Sequence, residues 1–81
     1  MTATKITAAN GNYSIITDRN GEIAKQYAAS ITSVSSTEAQ PWVGINFKAD
    51  GTVVGGRTMQ ESMRNQAIEK SRAAGMNVVE I

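Results

Sequence analysis

Hydrophobic and polar positions alternate most regularly between Trp42 and Lys48, where Val43, Ile45 and Phe47 occupy the odd positions. Successive side chains of a strand point to opposite faces of a sheet. This stretch therefore predicts a strand whose odd-numbered face lies in the core. Trp42 then falls on the outward face, or at the strand end under a loop.

Three short turn signals occur along the chain, at Asn10-Gly11, Asn20-Gly21 and Asp50-Gly51, each with a strand-favouring residue two positions after the glycine. Glycine adopts a positive φ at no steric cost and Asn or Asp tolerates the turn, so the pattern is typical of β-hairpins. The signals predict three hairpins. They join the predicted strands 4–8 with 13–17, 13–17 with 22–33, and 42–48 with 52–55.

The segment 22–33 is ambiguous. Ile23, Tyr27 and Ile31 share one face of either a strand or a helix, and the residues between them are better helix formers than strand formers. The tight link at Asn20-Gly21 favours a strand, so we predict a strand with a helix as the alternative. A polar connection over 33–40 comes next.

A helix over 58–74 is predicted from its ends and from one apolar stripe. Thr58 with Glu61 three residues later is the pattern of a capping box, and Gly75 suits the left-handed end of a helix. The stripe, which is expected to face the sheet, consists of Met59, Met63, Ala67 and Ala74.

Residues 76–81 form a closing strand, expected to lie parallel to the strand before the helix through a right-handed crossover. The predicted fold is a single α+β domain over residues 1–81, a mainly antiparallel sheet built from hairpins with one C-terminal helix packed on one face. This plan is too common to indicate a family.

Composition removes several classes of function. The 81 residues include no cysteine and no histidine, which excludes disulfides and thiolate metal sites and removes the commonest general base. We therefore predict no enzyme activity, no metal site and no cofactor. Eight basic and seven acidic residues leave the chain nearly neutral. Without a signal-peptide pattern or a long apolar run, a cytoplasmic protein with no membrane contact is expected.

The best candidate for a ligand site lies at the predicted helix start, Gly55, Gly56, Arg57 and Thr58. First-turn amides and the helix dipole suit an anion, the two glycines allow close approach, and Arg57 offers a bidentate contact. The site would bind a phosphate-containing small ligand. The alternative is that Gly-Gly only permits a cramped turn.

Single-stranded nucleic acid is a further alternative. Bases would stack on aromatic rings of the sheet, beside two lysines. The residues concerned are Tyr13, Tyr27, Trp42, Phe47, Lys25 and Lys48. The near-neutral charge and the absence of a basic cluster argue against this function.

Association with protein is the favoured function. Ile68 falls about 100° beyond Ala67 on the helix, on the charged side with Arg64 and Arg72. Trp42 is also misplaced for a core residue, and a short chain gains from burying more surface. We predict a small binding or regulatory protein of the kind that phages and mobile elements encode. It would act as a two-fold dimer or on another protein, with an interface at Ile68, Arg64, Arg72 and Trp42.

Overall fold

The computed structural model describes residues 3–33 and 36–81. The predicted connection 33–40 is thus covered except at residues 34 and 35, which lie outside the described residues. The elements are β1 (Ala3–Thr7), β2 (Tyr13–Asp18), α1 (Glu22–Gln26), a 3-10 turn (Ala28–Ser30), β3 (Ile31–Thr32), β4 (Trp42–Phe47), β5 (Val53–Met59), α2 (Glu61–Ala73) and β6 (Asn77–Glu80). The predicted α+β class, with one long C-terminal helix and a final strand, is confirmed.

The described strands form one sheet in the order β3-β5-β4-β2-β1-β6, and every pair is antiparallel except β3 with β5. Two of the predicted hairpins are confirmed, because β1 turns into β2 and β4 turns into β5. Gly11 and Gly51 both have a φ of 90°, a conformation that glycine adopts without strain. The sequence signal therefore marked a real steric requirement at these two turns.

Side-chain carboxylate and amide groups close the same turns. Asn10 Oδ1 accepts a hydrogen bond from the backbone N–H of Asn12 at 3.0 Å, and Asp50 Oδ1 accepts one from the N–H of Thr52 at 2.9 Å. The hydrogen bonds from Thr52 favour the ionised carboxylate and lower the pKa of Asp50 below its ordinary value. The turn between β4 and β5 is thus stabilised by a charged side chain at neutral pH.

The hairpin predicted at Asn20-Gly21 is wrong. Asn20 and Gly21 lead into α1, and only Ile31–Thr32 of the predicted strand 22–33 is a strand. The helix-forming residues decide the local structure, and Ala24 of α1 is buried against the sheet. The apolar positions that had suggested one face of a strand now cover the sheet from a helix and a 3-10 turn.

Both faces of the sheet carry a core. On the face covered by α1, here called the α1 face, Val43, Ile45 and Phe47 are buried, so the predicted odd-numbered core face of this strand is confirmed. On the opposite α2 face, Ile6, Ile16 and Ile68 form a second buried cluster. The partly buried residues that pack against this second cluster are Trp42, Met59, Ala67 and Val78.

The predicted start of the long helix is wrong, because Thr58 lies in β5 and α2 begins at Glu61 after its N-cap Gln60. Thr58 pairs with Val43 across the sheet and is buried. Its hydroxyl donates to Gln40 Oε1 at 2.5 Å instead of capping a helix. Strand pairing therefore extends past the residue that was expected to form the capping box.

Ile68 is 9% exposed, whereas Met63 on the same helix is 42% exposed. The prediction that Ile68 lies on the outward side and Met63 on the inward side is therefore wrong. Met59 of the predicted stripe belongs to β5, and the positions of α2 that face the sheet follow the spacing of Arg64, Ala67, Ile68 and Ser71, which are its least exposed residues. Ile68 is buried in the second core cluster and its neighbour Ala67, which belonged to the predicted stripe, packs against that cluster.

The closing strand β6 pairs antiparallel with β1, with Ile6 opposite Val78. Four antiparallel pairings lead from β5 through β4, β2 and β1 to β6, so β6 runs parallel to β5 as predicted, although the two strands are not neighbours. In the sheet β5 lies between β4 and β3, which leaves the free side of β1 for the returning chain. None of the helices in ranges 3–33 and 36–81 is long and apolar enough to cross a membrane.

Candidate binding cleft and sheet edge

The predicted anion site does not lie at a helix start. Gly55, Gly56, Arg57 and Thr58 are all strand residues of β5. A side chain added at Gly56 would place its Cβ 2.8 Å from the carbonyl oxygen of Gly44, so this glycine permits close strand packing. The amides of the first helical turn are therefore not beside the Gly-Gly pair, and the predicted geometry for anion binding is wrong.

Arg57 nevertheless lines a cleft. It lies opposite Gly44 in the sheet, so its side chain is on the α2 face, and it is exposed. No described residue forms a salt bridge or hydrogen bond with its guanidinium. Among the described residues, this cation thus has no partner and is available at the surface of the cleft.

The cleft has a volume of about 860 Å³ and lies where α2 leaves part of the sheet uncovered. Its apolar lining comes mainly from Ile6, Ile16, Met59, Ala67 and Met76. Its polar lining includes Ser14, Asn46, Arg57 and Ser71. The size and the mixed lining are those of a site for a small organic molecule.

Two of the polar residues form a pair across β2 and β4. The hydroxyl of Ser14 donates to Asn46 Oδ1 at 2.6 Å, and the two residues are opposite each other in the sheet. This bond occupies the acceptor oxygen of Asn46 and leaves its N–H2 group to donate. Neither residue was a candidate from the sequence, where polar positions in a strand indicate only the solvent side.

The predicted protein interface is dispersed in the structure. Trp42 is half-buried against the second core cluster, its indole N–H donates to the carboxylate of Glu61, and Arg64 lies 4.3 Å from its ring centroid. These contacts fasten the first turns of α2 to the sheet. Arg72 is exposed near the other end of the helix and Ile68 is buried, so the four residues do not share one surface.

The aromatic rings do not form an exposed platform for bases. Phe47 is buried, with Tyr13 stacked on it at 4.9 Å between ring centroids and Tyr27 edge-on at 5.2 Å. Lys5 lies over the Tyr13 ring. Trp42 is on the opposite face of the sheet, so three of the rings are core packing and the fourth is separate from them.

A different surface is open at the edge of the sheet formed by β6. Of the five large apolar side chains that are exposed in the described ranges, three lie in or beside this strand: Met76, Val79 and Ile81. Val79 is 40% exposed and Ile81 is 57% exposed. Exposed apolar groups beside an unpaired strand edge are typical of an interaction surface.

Comparison of the chain with family models, with curated proteins and with solved structures found no match. Function is therefore inferred from the geometry of the cleft and of the β6 edge.

Proposed function

We propose that the protein is a small non-catalytic association module that forms a two-fold dimer by pairing the β6 strands of two copies. The observation that supports this proposal is the β6 edge, where unpaired backbone groups lie beside the exposed side chains of Val79 and Ile81. An edge of this kind adds a further strand through main-chain hydrogen bonds, while its side chains contribute apolar contact.

The β6 edge lacks the usual protection. Natural edge strands are blunted by lysine, proline or a bulge, and residues 77–81 contain neither lysine nor proline. The charged residue of β6 is Glu80, and its carboxylate accepts a hydrogen bond from Thr4 Oγ1 at 2.9 Å. The carboxylate is therefore held over the face of the sheet by Thr4 of β1 and does not protect the edge from pairing.

A second copy of the chain fits this strand. Two-fold symmetry pairs identical edges antiparallel, and the residue on the axis then faces itself. If Val79 lies on the axis, Val79 faces Val79, Asn77 faces Ile81 and Val78 faces Glu80. No like charges oppose each other in this register, and the exposed Val79 side chains of the two copies are brought together.

The opposite edge of the sheet is less suited to pairing. There β3 covers the middle of β5 at Gly56 and Arg57, and a bulge leaves Val54 without an opposite residue on β4. Bulges of this kind twist an edge and interrupt its hydrogen-bonding row. Val54 is 64% exposed, so it provides a matched control for Val79.

Val79→Lys is expected to dissociate the dimer, because two lysines would then oppose each other on the two-fold axis. The fold should be retained, since substitutions at exposed positions change stability by about 0.5 kcal/mol or less and repulsion from Lys5, which lies opposite residue 79 on β1, adds at most about 1 kcal/mol. Sedimentation velocity over a micromolar dilution series measures the mass. The wild type should show a reversible dimer and Val79→Lys only the 8.6 kDa monomer.

Val54→Lys introduces the same charge at the other edge and should leave the dimer intact. A wild type that is monomeric throughout the series would refute the homodimer. Dissociation by Val54→Lys but not by Val79→Lys would instead place the interface at the β5 edge. The regulatory role and the cytoplasmic location expected from the sequence are part of this proposal and rest on size and composition.

A further inference from the structure

We infer that the cleft on the α2 face binds a small amphiphilic carboxylate, a molecule with one carboxylate group and an apolar body, such as a medium-chain fatty acid. The inference is independent of the proposed dimer, because β1 and β2 lie between the β6 edge and the polar part of the cleft on β4 and β5, and Met76 alone borders both. Arg57 was already proposed as an anion contact from the sequence. The site inferred here, however, lies on the sheet that forms the floor of the cleft and not at a helix start.

Charge determines the kind of head group. Arg57 is the one charged residue among the described residues that line the cleft. A guanidinium with no carboxylate partner favours an anionic ligand, and its planar fork matches a carboxylate in a bidentate contact. A phosphate monoester carries about −1.5 to −2 charges at neutral pH, which one arginine would not balance. A singly charged head group is therefore the better match.

Sheet geometry brings a second donor to the same place. Asn46 lies opposite Gly55, and Arg57 is two residues further along β5 on the same face. Such diagonal neighbours are about 7–8 Å apart, within reach of long side chains. Because Ser14 occupies the Asn46 oxygen, the N–H2 group is left to donate to a carboxylate that Arg57 holds.

The apolar body of the ligand would lie along the remaining wall. Ile6, Ile16 and Met59 line the sheet side of the cleft, and Ala67 lies on the helix side. Gly44, between them on the sheet, has no side chain of its own, and the space above it is covered by the end of Met59 and, at 4.0 Å, by Ile16. A flexible methionine can move to admit an alkyl chain.

Titration with decanoate, decanol and decyl phosphate, each below its micelle concentration, tests the inference. Decanoate should shift the backbone amide resonances of Gly44, Asn46 and Arg57 in a saturable manner, and calorimetry should give its dissociation constant. Decanol, which lacks the charge, should bind about tenfold more weakly. Decyl phosphate should not bind more tightly than decanoate.

Arg57→Gln should weaken decanoate about tenfold and leave decanol unchanged, because only the charged head group contacts residue 57. Arg72→Gln removes an exposed arginine outside the cleft and is the matched control, with no expected change. The Val79→Lys variant should bind decanoate with the affinity of the wild type, whether it is a monomer or a dimer. A failure of the dimer proposal can therefore be distinguished from a failure of the ligand inference.

Three results of the decanoate measurements would overturn the inference. They are the absence of saturable shifts with decanoate, equal affinity for decanoate and decanol, and an Arg57→Gln variant that binds decanoate as the wild type does. Tighter binding of decyl phosphate than of decanoate would assign the cleft to phosphate compounds and refute the carboxylate.

Discussion

Ile68→Asp is expected to leave the protein largely unfolded at room temperature. Ile68 packs against Ile6 and Ile16 in the second core cluster, and an ionised carboxylate placed there without a partner costs several kcal/mol. Domains of this size are stable by only about 5–15 kcal/mol. Far-ultraviolet circular dichroism at 25 °C and thermal unfolding would show the loss of structure.

Met63→Asp is the matched control, because it places the same charge on the same helix at a position that is 42% exposed. Its free energy of unfolding should differ from that of the wild type by about 0.5 kcal/mol or less. The opposite result, a stable Ile68→Asp and an unfolded Met63→Asp, would restore the helix orientation that the apolar stripe had predicted. The pair of variants therefore tests the packing of α2 directly.

The strand β4 was the most predictable element because two local signals agreed. Val43, Ile45 and Phe47 alternate with polar or small residues, and the turn at Asp50-Gly51 comes directly after them. The alternating pattern indicates which face of the strand is buried, but it does not indicate whether the other face is covered as well. The structure has a helix on each face of the sheet, so Trp42 at an even position packs under α2 and is not an outward residue.

The turn signals show the limit of local chemistry. Gly11 and Gly51 need the same positive φ and both lie in hairpins, whereas Gly21 has a φ of −80° and precedes a helix. A dipeptide describes the turn but does not determine the next element of the chain. That element is determined by the helix-forming residues after Gly21, which outweigh the turn signal.

The end of β5 was not predictable for a tertiary reason. Thr58 and Glu61 satisfy the capping pattern, but pairing of Val43 with Thr58 and of Trp42 with Met59 keeps the chain extended. The strand predicted over 42–48 was long enough to pair there, but the capping pattern of Thr58 and Glu61 takes no account of a partner strand. The predicted exposure of Ile68 has a different cause, because the inward face of α2 includes both Ala67 and Ile68 and its partner surface, Ile6 and Ile16, is assembled by strand pairing.

The candidate sites were predictable only in part. From the sequence, Arg57 is proposed as a ligand contact, and the structure places Arg57 in a cleft that Ser14 and Asn46 reach only through strand pairing that spans 32 residues of sequence. The β6 edge carries one signal in the sequence. Val78 and Val79 are consecutive, so both faces of the final strand carry a valine, although Val79 is left exposed.

Alanine substitutions at Gly56 and Gly44 distinguish a glycine that close strand packing requires from a glycine that lies in the cleft. In Gly56→Ala the new Cβ would lie 2.8 Å from the carbonyl oxygen of Gly44 and 3.3 Å from Ile45 Cα, and these backbone atoms have little room to move. In Gly44→Ala the close neighbour is the end of the Met59 side chain at 2.6 Å, which can rotate away. The steric demand is similar, but the atoms that must yield are different.

Gly56→Ala is therefore expected to lower the free energy of unfolding by about 3 kcal/mol, whereas Gly44→Ala should cost about 1 kcal/mol or less because alanine also suits a strand better than glycine. For a domain of this size the first change corresponds to a melting temperature lower by more than about 10 °C. Urea unfolding of both variants without ligand measures the difference. Equal stability of Gly56→Ala and the wild type would show that close packing of β4 and β5 does not require a glycine at position 56.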